Sequence, residues 1–125
     1  MTTPSTTGIV LFAHGSRDPL WHKPMEAVAE QIRQKEPAAL VACAYLELSQ
    51  PDLPTAVAAL VAQGVHSVRI VPMFLGVGKH AREDLPLLVQ ALRDTYPQLA
   101  LSLQKAVGEN AKLVDLLAQI ALESA

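Results

Sequence analysis

Gly8-Ile9-Val10-Leu11-Phe12-Ala13-His14-Gly15-Ser16-Arg17-Asp18 is the stretch that decides the fold. Six apolar or small residues run on without alternation, as in a strand covered on both faces, and the run stops at a histidine. A helical pattern follows, with Met25, Val28, Ala29 and Ile32 on one stripe and Glu36-Pro37 as its stop. The same order then repeats. Leu40 to Leu46 is a second strand ending at Glu47, and Leu53, Val57, Leu60 and Val61 form a second helical stripe closing at Gly64. A third strand, Ser67 to Val71, meets Pro72, which marks where it leaves the sheet. The third helix is expected to open near Asp84-Leu85-Pro86, with Asp84 as its cap, and to end before Tyr96-Pro97. Leu99 to Leu103 is the fourth strand, and the last helix carries Leu113, Leu116, Leu117 and Ile120 on one stripe. Four alternations of strand and helix predict an α/β fold, a four-stranded parallel sheet flanked by helices and joined by right-handed crossovers.

The chain has 125 residues and a mass of 13.4 kDa, enough for one domain with a real core. Residues 8–125 are expected to form that domain behind a flexible segment at 1–7. Half of the residues are hydrophobic, 18% are charged and the mean hydropathy is +0.25, which excludes intrinsic disorder. Lys+Arg 10 against Asp+Glu 12 gives a net charge of −2, with no basic arm, so a nucleic-acid partner is not expected. The single cysteine, Cys43, offers no Cys-x-x-Cys pair and reads as a small core residue. Met1 to Thr7 has no basic residue and leads into too short an apolar run for a signal or a membrane span, so a cytoplasmic, membrane-free protein is expected.

The loops at the two edges of such a sheet are unequal. Helix-to-strand returns are short, Pro37-Ala38-Ala39 and Gly64-Val65-His66. The exits after strand one (His14 to about Lys23) and strand three (Met73 to about Glu83) are long. Both long exits leave from carboxyl ends of strands, where open α/β sheets bind ligands. Each carries one histidine, His14 in one and His80 in the other, with Gly15, Gly76 and Gly78 giving the backbone room to turn. If strands one and three are neighbours, two imidazoles can share one divalent metal at about 2 Å from each ring nitrogen. Neutral imidazole also accepts protons near pH 7. Glu47 is the nearest carboxylate on the same edge, though a glutamate at a strand end can also be merely solvated.

His22 and His66 read as surface or hydrogen-bonded histidines. Glu83 and Asp84 read as capping residues of the third helix, and Arg17, Lys79 and Arg82, if not simply facing solvent, can hold carboxylates. The phosphate loop, the dinucleotide fingerprint and the Gly-x-Ser-x-Gly elbow are all missing, so no nucleotide cofactor is expected. Ala13 stands where a phosphohistidine mechanism would place an arginine before His14, which argues against phosphatase chemistry.

The sequence resembles the small sirohydrochlorin chelatases of the CbiX type, within the class II tetrapyrrole chelatases. The resemblance rests on Val10 to Asp18, on Ala44-Tyr45-Leu46-Glu47 with Pro51, and on Val71 to His80 with Asp84 and Pro86, with a weaker match at Gly108-Glu109. It implies a flavodoxin-like domain that inserts a divalent metal into sirohydrochlorin, in siroheme- or cobalamin-type biosynthesis. Co²⁺ comes first as the metal substrate, with Ni²⁺ and Fe²⁺ as alternatives. By the resemblance His14 and His80 are the metal ligands and catalytic groups, and Glu47 matches an acidic position. Ser16, Arg17, Lys79 and Arg82 would hold the tetrapyrrole, and Met73, Phe74 and Leu75 would cover its faces. Many relatives are twice as long, so a homodimer is the expected partner arrangement. The alternative function is a non-catalytic carrier of metal or tetrapyrrole.

Overall fold

The computed structural model describes residues 7–123, the side chain of His80 excepted. The segment expected to be flexible, 1–7, lies outside the described residues but for Thr7. The elements are β1 (Thr7–Ala13), α1 (Lys23–Lys35), β2 (Leu40–Tyr45), α2 (Leu53–Ala62), β3 (Ser67–Pro72), α3 (Lys79–Thr95), β4 (Ala100–Leu103) and α4 (Ala111–Leu122). Two short 3-10 turns, Pro19–His22 and Val107–Glu109, precede α1 and α4. The strands pair in parallel in the order β2-β1-β3-β4, the doubly wound flavodoxin-like arrangement.

The uninterrupted apolar run of β1 follows from its central place, with a neighbour on each side and helices on both faces. Because side chains alternate across a strand, Val10 and Phe12 enter the core made with α2 and α3, while Leu11 and Ala13 meet Met25 and Ala29 of α1. Fully burying side chains such as Phe12, Leu60 and Ile70 contributes about 1.5–3 kcal/mol each. Asp52 starts α2 by accepting the Thr55 N–H at 2.9 Å. The β1/β3 boundary is where chain direction across the sheet reverses, and open sheets of this kind bind ligands outside the carboxyl ends at that boundary.

Several expectations need correction. Helix α3 begins at Lys79 behind Gly78, five residues earlier than Asp84, and contains Pro86 in its interior. Ala81, Leu85, Val89 and Leu92 form one buried row at a spacing of three or four residues, and that burial carries the helix through the proline. Asp84 and Glu83 are therefore exposed positions inside the helix rather than caps, and His80 stands on its first turn rather than in a long loop. The exit from β3 is only Met73 to Gly78. Pro72, expected to mark the strand's exit, is the last residue of β3, paired with Phe12. The stripe of α4 joins neither core, and Cys43 is half-buried, its Sγ 3.8 Å from the Met25 carbonyl.

Candidate metal centre at the carboxyl edge of the sheet

His14 is the first residue beyond β1 and its side chain is exposed. Its ring lies against that of Phe74, with centroids 4.6 Å apart and planes tilted by 47°. Phe74 is itself buried and meets Phe12 edge-on at 6.1 Å. One side of the imidazole is thus backed by an aromatic pair rooted in the core, while the residue as a whole is exposed.

The strand ladders continue into the exits. Leu46 N–H donates to the Ala13 carbonyl at 2.8 Å, Glu47 N–H to that of His14 at 2.9 Å, and Met73 N–H to that of Phe12 at 2.7 Å. Glu47 is therefore seated beside His14 by the backbone, with an exposed side chain. Gly15 makes this approach possible: its φ is +103°, and a Cβ there would overlap the carbonyl oxygen of Glu47. Gly76 and Gly78, expected to serve the same purpose ahead of His80, have open space around them and no left-handed φ.

A clamp holds the exits from β1 and β2 together. Ser49 Oγ donates to the Ser16 carbonyl at 2.7 Å and accepts the Ser16 N–H at 2.9 Å, and His22 Nε2 lies 2.9 Å from the same oxygen. Ser49 has one hydroxyl hydrogen, already given to Ser16, so His22 must donate from Nε2. The His22 ring stacks on Tyr45 at 4.8 Å and 25°. Burial pushes the Tyr45 hydroxyl up to about 12. His22 is thus the hydrogen-bonded histidine that its sequence context suggested, and exposed His66 lies on the opposite edge, just ahead of β3.

Ser16 is half-buried and its Oγ accepts the Asp18 N–H at 3.1 Å, while Arg17, Lys79 and Arg82 are exposed. Of the Met73-Phe74-Leu75 trio, Leu75 is the open one at 69% exposure. The β3 exit is pinned from behind, where Gly108 N–H donates to the Phe74 carbonyl at 3.0 Å and a Cβ on Gly108 would overlap the Leu75 carbonyl. His80 stands on the first turn of α3, which follows β3, the strand next to that of His14, and its side chain lies outside the described residues. Among the described residues no three His, Cys, Asp or Glu side chains come together as a metal site. Beside the edge lies a cavity of about 390 Å³ whose lining includes Pro72, Leu75, Arg82, Leu103 and Lys105. Sequence reasoning missed Lys105 and Ser49, which no periodic pattern singles out.

The CbiX family model matches residues 8–124. The chain belongs to the CbiX family. This CbiX chain is 32% identical over 88 residues to the sirohydrochlorin cobaltochelatase of Methanocaldococcus jannaschii, a match covering 70% of the chain and 62% of that relative. The match thus spans about three-fifths of the relative's length. A cobalamin (vitamin B12) biosynthesis CbiX protein from Marinobacter aquaeolei has a similar structure, with a TM-score of 0.79 at 32% identity over 92% of this chain and 93% of that one. The sirohydrochlorin chelatase SirB of Bacillus subtilis subspecies spizizenii, in complex with cobalt, matches with a TM-score of 0.77 at 26% identity. That match covers 91% of this CbiX chain but 49% of SirB.

Proposed function

We propose that this chain inserts a divalent metal ion into sirohydrochlorin. The observation that carries the reading is the open imidazole of His14, backed by Phe74 at the β1/β3 boundary of a CbiX-family sheet. Insertion exchanges M²⁺ for two pyrrole protons, so the site must present the ion and take up protons. His14 as a neutral imidazole can do either, and His80 on the adjacent segment is the second ligand. Glu47, beside His14, receives protons or supplies a further oxygen ligand. Arg17, Lys79, Arg82 and the hydroxyl of Ser16 hold the carboxylates at the rim of the substrate, and exposed Leu75 gives an apolar surface for its ring. Co²⁺ is the first choice of metal, and a His/His/Glu set also suits Ni²⁺ and Fe²⁺.

Residues 8–125 act in this reading as one cytoplasmic domain that pairs with a second copy. The near half-length match to SirB supports the pairing, since a second copy supplies the other wall of a cleft. No helix among the described residues is long and apolar enough to cross a membrane. The test is a multiple-turnover assay with sirohydrochlorin and Co²⁺, Ni²⁺ or Fe²⁺, followed by the change in the macrocycle's absorption. Insertion faster than the spontaneous rate, mostly lost in His14→Ala and in His80→Ala, is expected. Tight binding without turnover would make the chain a carrier instead.

A further inference from the structure

The exit of β4 is tied by its backbone to the strand and exit of β3. Gln104 N–H donates to the Ile70 carbonyl at 2.9 Å, and Gly108 N–H to the Phe74 carbonyl at 3.0 Å. Lys105 lies between these two ties, just past the end of β4. Arg82 approaches from the helix side: its N–H donates to the Gly78 carbonyl at 3.0 Å, which sets it on the first turn of α3. Both cations line the cavity of about 390 Å³ that opens between these segments.

The buried residues of that lining, Pro72, Ala81, Leu85 and Ala106, are all apolar. Its charged residues, Arg82, Lys105 and Glu109, are all exposed. The cavity thus has an apolar floor and a charged rim, where two cations stand against one carboxylate. None of the three is in an ion pair among the described residues. A neighbouring hollow of about 430 Å³ shares Lys105 and Glu109 but has no second cation, so the balance there is neutral.

We propose that the cavity beside β4 receives one acidic side arm of the tetrapyrrole, with its carboxylate held between Lys105 and Arg82. An arm lying across the cavity sets its methylenes on the apolar floor and its carboxylate at the rim. A free inorganic anion would leave that floor unused. The position agrees with the chemistry. In the order β2-β1-β3-β4, β4 is two strand spacings from β1, about 10 Å, which is the scale on which acidic arms stand off from the centre of a macrocycle placed over His14. Holding one arm there fixes how the macrocycle can turn above the imidazole, and Lys105 becomes a determinant of specificity for acidic tetrapyrroles.

This inference rests on sirohydrochlorin as the substrate, so binding and turnover are measured separately. Titration of the metal-free macrocycle gives Kd, and the insertion assay gives KM and kcat. Lys105→Gln is expected to raise Kd and KM about 3–10-fold with kcat little changed, the loss of one charge-assisted contact. Lys105→Arg, which keeps the charge, should restore most of the affinity. Lys112→Gln, which removes an exposed cation of α4 outside the lining, should leave both constants at the parent's values. On a macrocycle whose arms are methyl esters, parent and Lys105→Gln should bind alike, since no carboxylate is left to hold. Lys105 is exposed, so its replacements are expected to melt with the parent.

A parent that inserts metal while Lys105→Gln keeps its Kd and KM overturns the subsite and leaves the chelatase reading standing. An equal loss in Lys112→Gln, the mark of net charge alone, overturns it too. So does a loss that persists in full on the ester, the mark of a free anion in the cavity. A parent that binds the macrocycle without turnover, with binding weakened in Lys105→Gln, overturns insertion and leaves the subsite standing. A parent that neither binds nor inserts overturns both.

Discussion

The imidazole of His14 lies 4.6 Å, centroid to centroid, from the ring of Phe74, whose side chain is buried against Phe12. An exposed loop histidine is thereby held by the core rather than by its neighbours in sequence. An imidazole confined on one side searches fewer orientations, so less ordering entropy would be lost in the metal binding proposed for it.

Replacing Phe74 by Leu keeps the position apolar and removes the ring. Aromatic pairs add about 0.5–1.5 kcal/mol beyond area burial. If that energy holds His14 in its working orientation, insertion should slow by about 2–12-fold while the KM for the tetrapyrrole changes little. Steady-state rates of the variant at saturating metal check this, and an unchanged rate would mean that His14 is positioned by something else.

Gly15 and Gly76 flank the same site and should respond differently. Gly15 has φ +103° and would drive a Cβ into the Glu47 carbonyl, whereas Gly76 faces open space. Gly15→Ala is expected to cost about 1–3 kcal/mol from strain alone, and to part the two exits that carry His14 and Glu47. Gly76→Ala should leave both melting temperature and activity close to those of the parent. Equal tolerance at the two positions would refute the close approach at Gly15.

The alternation of strands and helices and the shared edge of His14 and Glu47 were legible in the sequence, because each residue stands at the carboxyl end of an apolar run and parallel pairing aligns those ends; the neighbouring of β1 and β3 entered only as a condition, which the sheet meets. The start of α3 was misread because Pro86 resembles a first-turn proline. The row Ala81, Leu85, Val89 and Leu92 was the stronger signal, and burial outweighed the proline. The Ser16–Ser49–His22 clamp was not legible at all. It joins residues 27 and 33 positions apart through irregular loops, where no periodicity records the contact.

That clamp has its own consequence. Ser49→Ala removes the acceptor of the Ser16 N–H and the partner of His22 Nε2 together. Leaving such groups unpaired in a half-buried place costs about 1–3 kcal/mol. A melting temperature lowered by several degrees, with a larger fractional loss of insertion rate than in Gly76→Ala, is expected from calorimetry and assay. A stable, fully active Ser49→Ala protein would show that the exits need no such tie.

Tyr45 predicts how stability responds to alkali. Burial is the first cause that raises its hydroxyl to about 12, against about 10 in an unfolded chain. The phenolate is thus disfavoured in the fold, and the stabilisation this represents is complete below pH about 10. It is lost as pH rises from there through about 12, because the unfolded chain releases the proton first. Cys43 beside it is also pushed up by burial and acts in the same direction from a lower pH. Urea midpoints at pH 8 and pH 11 should therefore differ more for the parent than for Tyr45→Phe, and Cys43→Ala should flatten the dependence further. If parent and Tyr45→Phe lose stability in parallel over this range, the alkaline transition belongs to another group.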